Sequence, residues 1–224
     1  MAATESTTSR TQLIHNCLRR DILSGALPPG SPLRLQALAE KYRVSMSVLR
    51  EALTKLVEQR LAVLAPNRGF RVVEVSRADL LEISELLKLL GGLALEKSIR
   101  LGDLQWEARV VSAHHVLEHT RQLHDDGNLT EDWVRAHADF HDALSGACGS
   151  PRLLDYLRTL LSSTEFYQRL AGIPDVDMSE GALAEDHELM TLATGRKSAE
   201  SRALLDRHIQ RSMDWLLDHS FTED

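Results

Sequence analysis

The sequence predicts a mainly α-helical protein with one short β-hairpin near its N-terminal end. Apolar residues recur at helical spacing along most of the 224 residues, and glycine and proline are scarce, at 12 and 6 residues. The β-rich runs are confined to residues 61–75 (LAVLAPNRGFRVVEV). A hydrophobic fraction of 43% and a charged fraction of 26% are typical of globular proteins, and they exclude collagen-like, disordered and coiled-coil chains.

The sequence gives no sign of a membrane or secretory segment. No stretch approaches the roughly 18 consecutive apolar residues that a transmembrane helix needs. The N-terminal sequence MAATESTTSRTQ is polar and has no hydrophobic signal-peptide core. Cys17 and Cys148 are the two cysteines, which excludes a disulfide framework and favours the reducing cytoplasm.

The first 75 residues are predicted to form a short tail and one domain. The polar residues 1–9 are predicted to be disordered, and the domain is expected to cover residues 10–75. Apolar side chains between Leu13 and Leu23 recur at helical spacing, which predicts a first helix that stops at Gly25.

Two more helices and the hairpin complete this domain. A short helix is predicted at residues 35–42, then a break at residues 43–45 and a third helix at residues 46–59, with Ser45 as its N-cap. The β-rich runs flank a glycine-containing turn at residues 66–69 (Pro-Asn-Arg-Gly). Helix, helix, turn, helix and hairpin is the outline of a winged helix-turn-helix.

Residues 76–224 are predicted to form a separate, all-helical domain. Helical spacing continues through this part, and short joints that contain glycine or proline interrupt it, which is typical of an antiparallel bundle. Six helices are expected, at residues 77–100, 104–125, 130–147, 152–171, 182–194 and 197–219.

The two predicted domains carry opposite charge. Residues 1–75 hold 11 Lys and Arg against 6 Asp and Glu, a net charge of +5, and the remainder holds 15 against 27, a net charge of −12. A basic block within a chain of net charge −7 indicates that the N-terminal domain faces a polyanion.

The third helix and the hairpin turn carry the candidate nucleic-acid contacts. Ser45, Ser47 and Arg50 fall on the polar outer face of the third helix or at its N-terminal end. An arginine there can fork onto guanine in the major groove, and hydroxyl groups can bind phosphate. Arg68 offers a cation at the wing, and Gly69 lets the backbone approach DNA closely. The alternative is a small helical domain with a solvated basic face.

The stretch from Leu18 to Val72 resembles the DNA-binding domain of the GntR family of bacterial transcription regulators. The resemblance rests on ILSGALPPGSPLRLQALAEKYRVS, LREAL and PNRGFRV. It implies DNA contacts by Arg34, Ser45, Ser47, Arg50 and Gly69. The recognition helix departs from the family at Met46, where an arginine is usual, and at Val48, where a proline is usual. Loss of an arginine is expected to weaken or retarget DNA binding.

Nine of the ten histidines lie beyond residue 100. His137 and His141 are four residues apart on one predicted helix, so their imidazoles project from the same face. His187 and His208 lie on the last two predicted helices, which can bring both to the same layer of the bundle if they form a hairpin. Such a set can bind a metal. The alternative is that the histidines are scattered over solvated faces, and it is favoured for the remaining five: His114, His115, His119, His124 and His219.

The C-terminal half resembles the all-helical FCD domain of the FadR subfamily. In the metal-binding members, an acidic residue or Asn three positions before Phe-His joins that histidine and two later ones. Here Phe140-His141, His187 and His208 match, and His137 stands at the acidic position. A site of four imidazoles is expected to prefer Zn²⁺ or Ni²⁺ to Mg²⁺ or Ca²⁺. Asp186 and Glu188, which flank His187, are expected to point elsewhere.

The resemblance also bears on the effector. Family members often carry an arginine and a glutamate in the first helix of this domain, and Leu87 and Gly91 stand there instead. An arginine commonly anchors a carboxylate ligand. Arg135 and Arg169, on other predicted helices, are therefore the candidate effector-binding residues.

These observations predict a bacterial transcription regulator whose affinity for DNA is controlled by a small-molecule effector bound near a metal ion. We expect a homodimer on a palindromic operator, because two-fold symmetry doubles the specific contacts. One alternative is a direct metal sensor. Another is a metal-dependent enzyme, which the DNA-binding domain and the lack of an obvious general base beside the ligands disfavour.

Overall fold

A computed structural model describes residues 2–66, 68–124, 129–171 and 176–221. The chain divides into two compact units. The N-terminal unit comprises Met1–Ser76 and Ser162–Leu170, and the C-terminal unit comprises Arg77–Leu161 and Ala171–Asp224. The predicted fold class, a mainly α-helical chain with a winged helix-turn-helix and an all-helical bundle, is confirmed.

The elements of the N-terminal unit occur in the predicted order. They are α1 (Ala2–Leu23), α2 (Leu35–Tyr42), α3 (Met46–Glu58), β1 (Ala62–Ala65) and β2 (Gly69–Val72). β1 and β2 pair antiparallel, from Ala62 opposite Val72 to Ala65 opposite Gly69. Residues 2–9, for which the sequence predicts disorder, lie within α1, since a helix once nucleated gains one hydrogen bond for each added residue. Asn67, in the predicted turn, lies outside the described residues.

The core of the N-terminal unit forms mainly between α1 and α3. Leu18 and Ile22 of α1 and Leu49 and Leu53 of α3 are fully buried because they recur at helical spacing on the facing sides. Phe166 joins this core and is only 1% exposed. Residues 162–170, which the helical pattern places in the predicted C-terminal domain, belong to the N-terminal unit in the structure.

The C-terminal unit is built from helices in succession. They are α4 (Arg77–Leu86), a π-helical turn (Leu87–Gly91), α5 (Gly92–Leu101), α6 (Leu104–His119), α7 (Glu131–Ser145), α8 (Pro151–Ala171), α9 (Val176–Thr194) and α10 (Ser198–His219). Residues 162–170 of α8 belong to the N-terminal unit.

Three of these helices differ from the sequence-based bounds. The predicted helix at 77–100 is interrupted by the π-helical turn, where two glycines of low helix propensity occur. α6 ends at His119 rather than near residue 125, and α9 begins at Val176 rather than near residue 182. The predicted breaks at residues 126–128 and 172–174 lie outside the described residues. Leu123 and Leu129, on either side of the first break, form an antiparallel bridge.

The core of the C-terminal unit positions α7, α9 and α10. Trp106 of α6 and Phe140 of α7 are fully buried, as are Leu189 of α9 and Leu204 of α10. Helix α6 packs against both α7 and α9, and α9 packs against α10. Side chains on the inner faces of α7, α9 and α10 therefore meet inside the unit. No helix in the described part of the chain is both long and apolar enough to cross a lipid bilayer.

Candidate nucleic-acid interface and metal centre

The N-terminal end of α3 is held by the predicted cap. The Ser45 hydroxyl accepts a hydrogen bond from the Val48 backbone N–H at 3.4 Å, and the Ser45 and Ser47 hydroxyl oxygens lie 2.9 Å apart. This confirms Ser45 as the N-cap. Hydroxyl side chains at the N-terminal end of a helix form an arrangement suited to a phosphate.

The candidate DNA-contacting residues all lie on the surface of the N-terminal unit. Among the described contacts, the three arginines of this set make no ion pair, so their charges are available to a polyanion. Met46, at the position where the resembled family has arginine, is 43% exposed. The six exposed residues are Arg34, Ser45, Ser47, Arg50, Arg68 and Gly69.

The wing turn depends on Gly69. Its φ of +73° lies in the left-handed region, and a Cβ added there would meet no atom within 4 Å. Backbone conformation therefore explains the glycine, and its open surroundings leave the wing accessible. Arg68 precedes it and is exposed.

Asp21 ties α1 to α2 behind this surface. Its Oδ2 accepts hydrogen bonds of 2.6 Å from the Lys41 ammonium and from the Tyr42 hydroxyl. Burial acts to raise the pKa of Asp21, but these two hydrogen bonds and the Lys41 charge outweigh it and lower the pKa below its usual value. The pair of contacts fixes the position of the first helix of the helix-turn-helix.

A compact group of four potential metal ligands lies in the C-terminal unit. It consists of His137 and His141 of α7, Asp186 of α9 and His208 of α10, whose ligand atoms all lie within 4.8 Å of one another. The Nε2 atoms of His137 and His141 are 3.1 Å apart. The Asp186 carboxylate oxygens lie 3.7, 3.6 and 3.9 Å from the Nε2 atoms of His137, His141 and His208.

His187 does not belong to this group. Its side chain is exposed, and its ring lies edge-on to the ring of His114, with centroids 5.2 Å apart. The structure therefore brings Asp186, and not its neighbour His187, together with the other three residues, and the expectation that Asp186 points elsewhere is wrong. The set becomes three imidazoles and one carboxylate instead of four imidazoles.

The apolar spacing of α9 explains this correction and could have predicted it. Leu189 and Ala193 are fully buried, and Asp186 precedes them by three and seven residues, so it shares their face. His187 is rotated by about 100° from that face. The buried apolar residues of α9 define its inner face. The Asp186 carboxylate lies on that face, and the His187 imidazole does not.

The electrostatic state of the group suits a bound cation. Asp186 is 1% exposed, and within the described residues neither of its carboxylate oxygens has a hydrogen-bond partner. Burial raises the pKa of Asp186 to about 6. Burial lowers the pKa of His137 to about 3 and that of His141 well below its usual value, which keeps both imidazoles neutral. A buried carboxylate without a partner is costly unless a cation compensates it.

Side chains around the group orient the ligands. The Glu185 Oε2 atom lies 3.0 Å from His208 Nδ1, and the Arg211 Nη1 donates to Glu185 Oε1 at 2.6 Å. When His208 Nδ1 carries the proton, its Nε2 lone pair faces the group, as in carboxylate–histidine–metal arrangements. The Trp133 ring stacks on His137 at a centroid distance of 5.1 Å and an angle of 9°.

The two predicted effector-binding arginines do not adjoin this group in the described contacts. The Arg135 side chain is 67% exposed and pairs with Asp132. Arg169 belongs to the N-terminal unit and pairs with Glu165. The spacing of the histidines indicates His187 and His208, and for that reason it misses Asp186, Glu185 and Arg211 beside them.

A second group of potential ligands is fully exposed. His115, Glu118 and His119 lie on one face of α6, as residues three and four apart on a helix do. His119 Nδ1 lies 2.9 Å from the backbone oxygen of His115. Within the described part of the chain, no other helix contributes a ligand to this group.

Comparisons with known proteins agree with both units. Residues 11–72 match the family described as bacterial regulatory proteins, gntR family, and residues 82–211 match the FCD domain. The chain is 36% identical over 201 residues to the uncharacterized HTH-type transcriptional regulator BphR of Paraburkholderia xenovorans, covering 88% of this chain and 80% of that protein. It is 27% identical over 195 residues to the HTH-type transcriptional repressor GlaR of Escherichia coli, covering 86% and 89%.

A solved structure shows the same fold. The structure of E. coli McbR/YncC superimposes with a TM-score of 0.74 at 23% sequence identity, covering 93% of this chain and 97% of that one. An identity this low bears on the fold alone.

Proposed function

The chain belongs to the GntR family of bacterial regulatory proteins, and from that premise we propose that an effector bound beside a metal ion in the C-terminal unit controls its affinity for operator DNA. It is a DNA-binding transcriptional regulator with an FCD effector-binding domain, and not an enzyme. The observation that carries the proposal is the buried Asp186 carboxylate, whose oxygens have no hydrogen-bond partner among the described residues and face three imidazoles.

DNA recognition is assigned to the exposed surface of α3 and the wing. Arg50 reads a base edge in the major groove, and Ser45 and Ser47 hold phosphate at the N-terminal end of the helix. Arg34, Arg68 and Gly69 contact the DNA sugar-phosphate backbone on either side of the groove that α3 enters. Their exposure and the lack of ion pairs at the arginines, among the described residues, support these roles.

We further propose that the protein acts as a homodimer on a palindromic operator. One recognition helix reaches only a few base pairs, and a two-fold pair of helices doubles the specific contacts. Sedimentation of the protein at micromolar concentration, alone and with an operator duplex, tests this proposal. Two protomers per duplex are expected, and tight operator binding by a single protomer would contradict it.

His137, His141, Asp186 and His208 would hold a divalent transition ion. Three imidazoles and one carboxylate favour Zn²⁺ or Ni²⁺ over Mg²⁺ and Ca²⁺, which prefer oxygen ligands. A bound ion supplies a Lewis-acidic position that can accept an oxygen atom of the effector. The protein contributes neutral imidazoles, a compensating carboxylate, and the Glu185 contact that sets the tautomer of His208.

The test uses full-length protein and an operator selected from a random-sequence DNA pool. Fluorescence anisotropy would measure the affinity for that duplex before metal stripping, after it, and after addition of zinc, while elemental analysis counts the ions. We expect about one ion per protomer, lost in His141→Ala and retained in the exposed control His115→Ala. Fewer than about one ion per ten chains from metal-replete cells would refute the site.

A direct metal sensor is the second candidate function. Four protein ligands can complete a tetrahedral site, which is typical of ions that serve as the signal or as structural elements. In that case zinc alone produces the whole change in affinity for DNA, and small organic acids cause no further change in that affinity. An effector-responsive regulator shows a further change when the organic acid joins the metal-loaded protein.

A further inference from the structure

Within helix α3, all of which the structure describes, Met46 is the one large apolar side chain that is exposed. Its exposed fraction is 43%, whereas Leu49, Leu53 and Leu56 of the same helix are fully buried. Single exposed apolar side chains are common on protein surfaces. The position of Met46 at the first residue of the recognition helix, and not its exposure alone, therefore points to a role in DNA binding.

Met46 lies among the residues that are assigned to DNA contact. It precedes Arg50 by four residues, which places both side chains on one face of α3, about 6 Å apart along the helix axis. Ser45, the N-cap, accepts a hydrogen bond from the Val48 backbone N–H, and its hydroxyl oxygen lies 2.9 Å from that of Ser47. The cap fixes the backbone on both sides of Met46, so the side chain projects from a defined position.

The chemistry of the Met46 side chain restricts what it can contact on DNA. It carries no charge and no hydrogen-bond donor, so it cannot pair with a phosphate group or donate to a base edge. In the major groove, the apolar group that the base pairs present is the C5-methyl group of thymine. A thioether side chain is flexible and polarizable, and it adapts to such a group.

We propose that Met46 is a specificity-determining residue, which selects thymine by contact with its C5-methyl group. Base pairs are about 3.4 Å apart, so a separation of about 6 Å along α3 places this thymine within about two base pairs of the guanine that Arg50 reads. This inference rests on the proposed function, because it names a base that the assigned recognition helix reads.

Replacement of thymine by uracil isolates the proposed contact. Uracil lacks the methyl group but keeps every hydrogen-bonding group of the base pair. One methyl group removed from water contributes about 4-fold to an equilibrium constant. A two-fold symmetric operator presents the contact twice, so replacement in both half-sites is expected to weaken binding about 16-fold.

The test measures binding by fluorescence anisotropy, with an operator selected from a random-sequence DNA pool and dU in place of each dT in turn. We expect one dT in each half-site whose replacement weakens binding about 4-fold. In Met46→Ala the same replacement should have no effect, because the contact is already absent. Leu13→Ala is the matched control, since Leu13 is an exposed apolar side chain of α1, and it should keep the full loss.

Met46→Arg is the second variant. A guanidinium group at this position can read guanine, so a repeated selection should exchange dT for dG at that position and leave the other positions unchanged. An unchanged preference for dT would overturn the inference. A loss from dU that persists in Met46→Ala would also overturn it, because the methyl group would then act through DNA shape.

Arg50→Ala separates this inference from the proposed function. If Arg50→Ala weakens operator binding but no dU replacement does so, the role of Met46 is wrong and the assignment of DNA recognition to α3 stands. If Arg50→Ala binds the operator with wild-type affinity, the assignment of α3 is itself contradicted.

Discussion

The two units keep their candidate functional side chains in opposite surroundings. The six candidate DNA contacts of the N-terminal unit are exposed, whereas Asp186 and His208 of the C-terminal unit are buried. We expect the exposed arginines to contribute to DNA binding without supporting the fold, whereas Ser45 also caps α3 and Gly69 also sets the wing turn. A buried carboxylate among imidazoles costs stability until a ligand compensates it. Substitutions at the exposed arginines should therefore change the affinity for DNA alone, and those at Asp186 and His208 should change stability and ligand binding together.

The largest expected effect tests where the N-terminal unit ends. Phe166 of α8 is 1% exposed in the core that α1 and α3 share. Phe166→Ala should lower the free energy of unfolding of the N-terminal unit by about 3–5 kcal/mol, because it leaves a cavity. Urea unfolding measures this loss. Tyr156→Ala, on the same helix and 66% exposed, is the control and should stay within about 0.5 kcal/mol of wild type. Equal losses of unfolding free energy in the two variants would contradict the placement of Phe166 in that core.

Asp186→Asn should separate stability from metal binding. In the metal-free protein, removal of the buried charge should raise the free energy of unfolding by about 1–3 kcal/mol. In the presence of zinc the same variant should lose most of the metal-dependent rise in Tm, because one ligand is lost. Thermal unfolding with and without zinc measures both changes.

His187→Gln is the matched control for this prediction. The exposed neighbour should affect neither the metal-free stability nor the zinc-dependent rise in Tm. Retained zinc binding in Asp186→Asn together with its loss in His187→Gln would restore the original ligand assignment.

Arg50→Ala tests the exposed set. It should weaken binding to the selected operator by about 1–3 kcal/mol and relax the preference at one position of each half-site. Arg68→Ala, at the wing, should weaken binding evenly across sequences and reduce the salt slope by about 1. Anisotropy titrations at several salt concentrations measure both. If both variants bind the operator with wild-type affinity and salt dependence, the assignment of DNA recognition to α3 and the wing is wrong.

The smallest expected effect concerns the contact between α1 and α2. The lowered pKa of Asp21 means that its ionised form stabilises the folded state above the unfolded pKa, near 4, and that this stabilisation disappears as the pH falls through the lower, folded pKa. Asp21→Asn should therefore be less stable than wild type at pH 7 by under about 1 kcal/mol. The difference should shrink as the pH falls below about 4 and should vanish once the pH is below the lowered pKa of the folded state. A constant difference across this pH range would assign the effect to packing.

The helix-turn-helix could be predicted from sequence because its signals are local. Ser45 precedes an amphipathic helix, and Gly69 marks a turn that needs a positive φ, so both follow from neighbouring residues. The assignment of Phe166 to the N-terminal core could not be predicted in this way. Its partners are more than a hundred residues away in the chain, and nothing in the spacing of α8 distinguishes its two ends.

The candidate metal group shows the same limit more sharply. His137 and His141 share a helical face, which spacing alone establishes. Helix α9 offers two adjacent residues, Asp186 and His187, and a preference for histidine as a ligand selects the one that lies outside the group. The buried face of α9, marked by Leu189 and Ala193, decides between them. The residue types indicate which side chains can bind a metal, and the buried apolar face of α9 indicates which of them lies inside the unit.

The position of a bound ion would test the proposed metal site. Crystals of the protein loaded with zinc would be examined by anomalous diffraction at the zinc edge. We expect one strong peak per protomer, about 2.0–2.2 Å from Nε2 of His137, His141 and His208 and from a carboxylate oxygen of Asp186. A map with no peak among these four side chains, or with its peak at His187 or at the exposed His115 and His119, would contradict it.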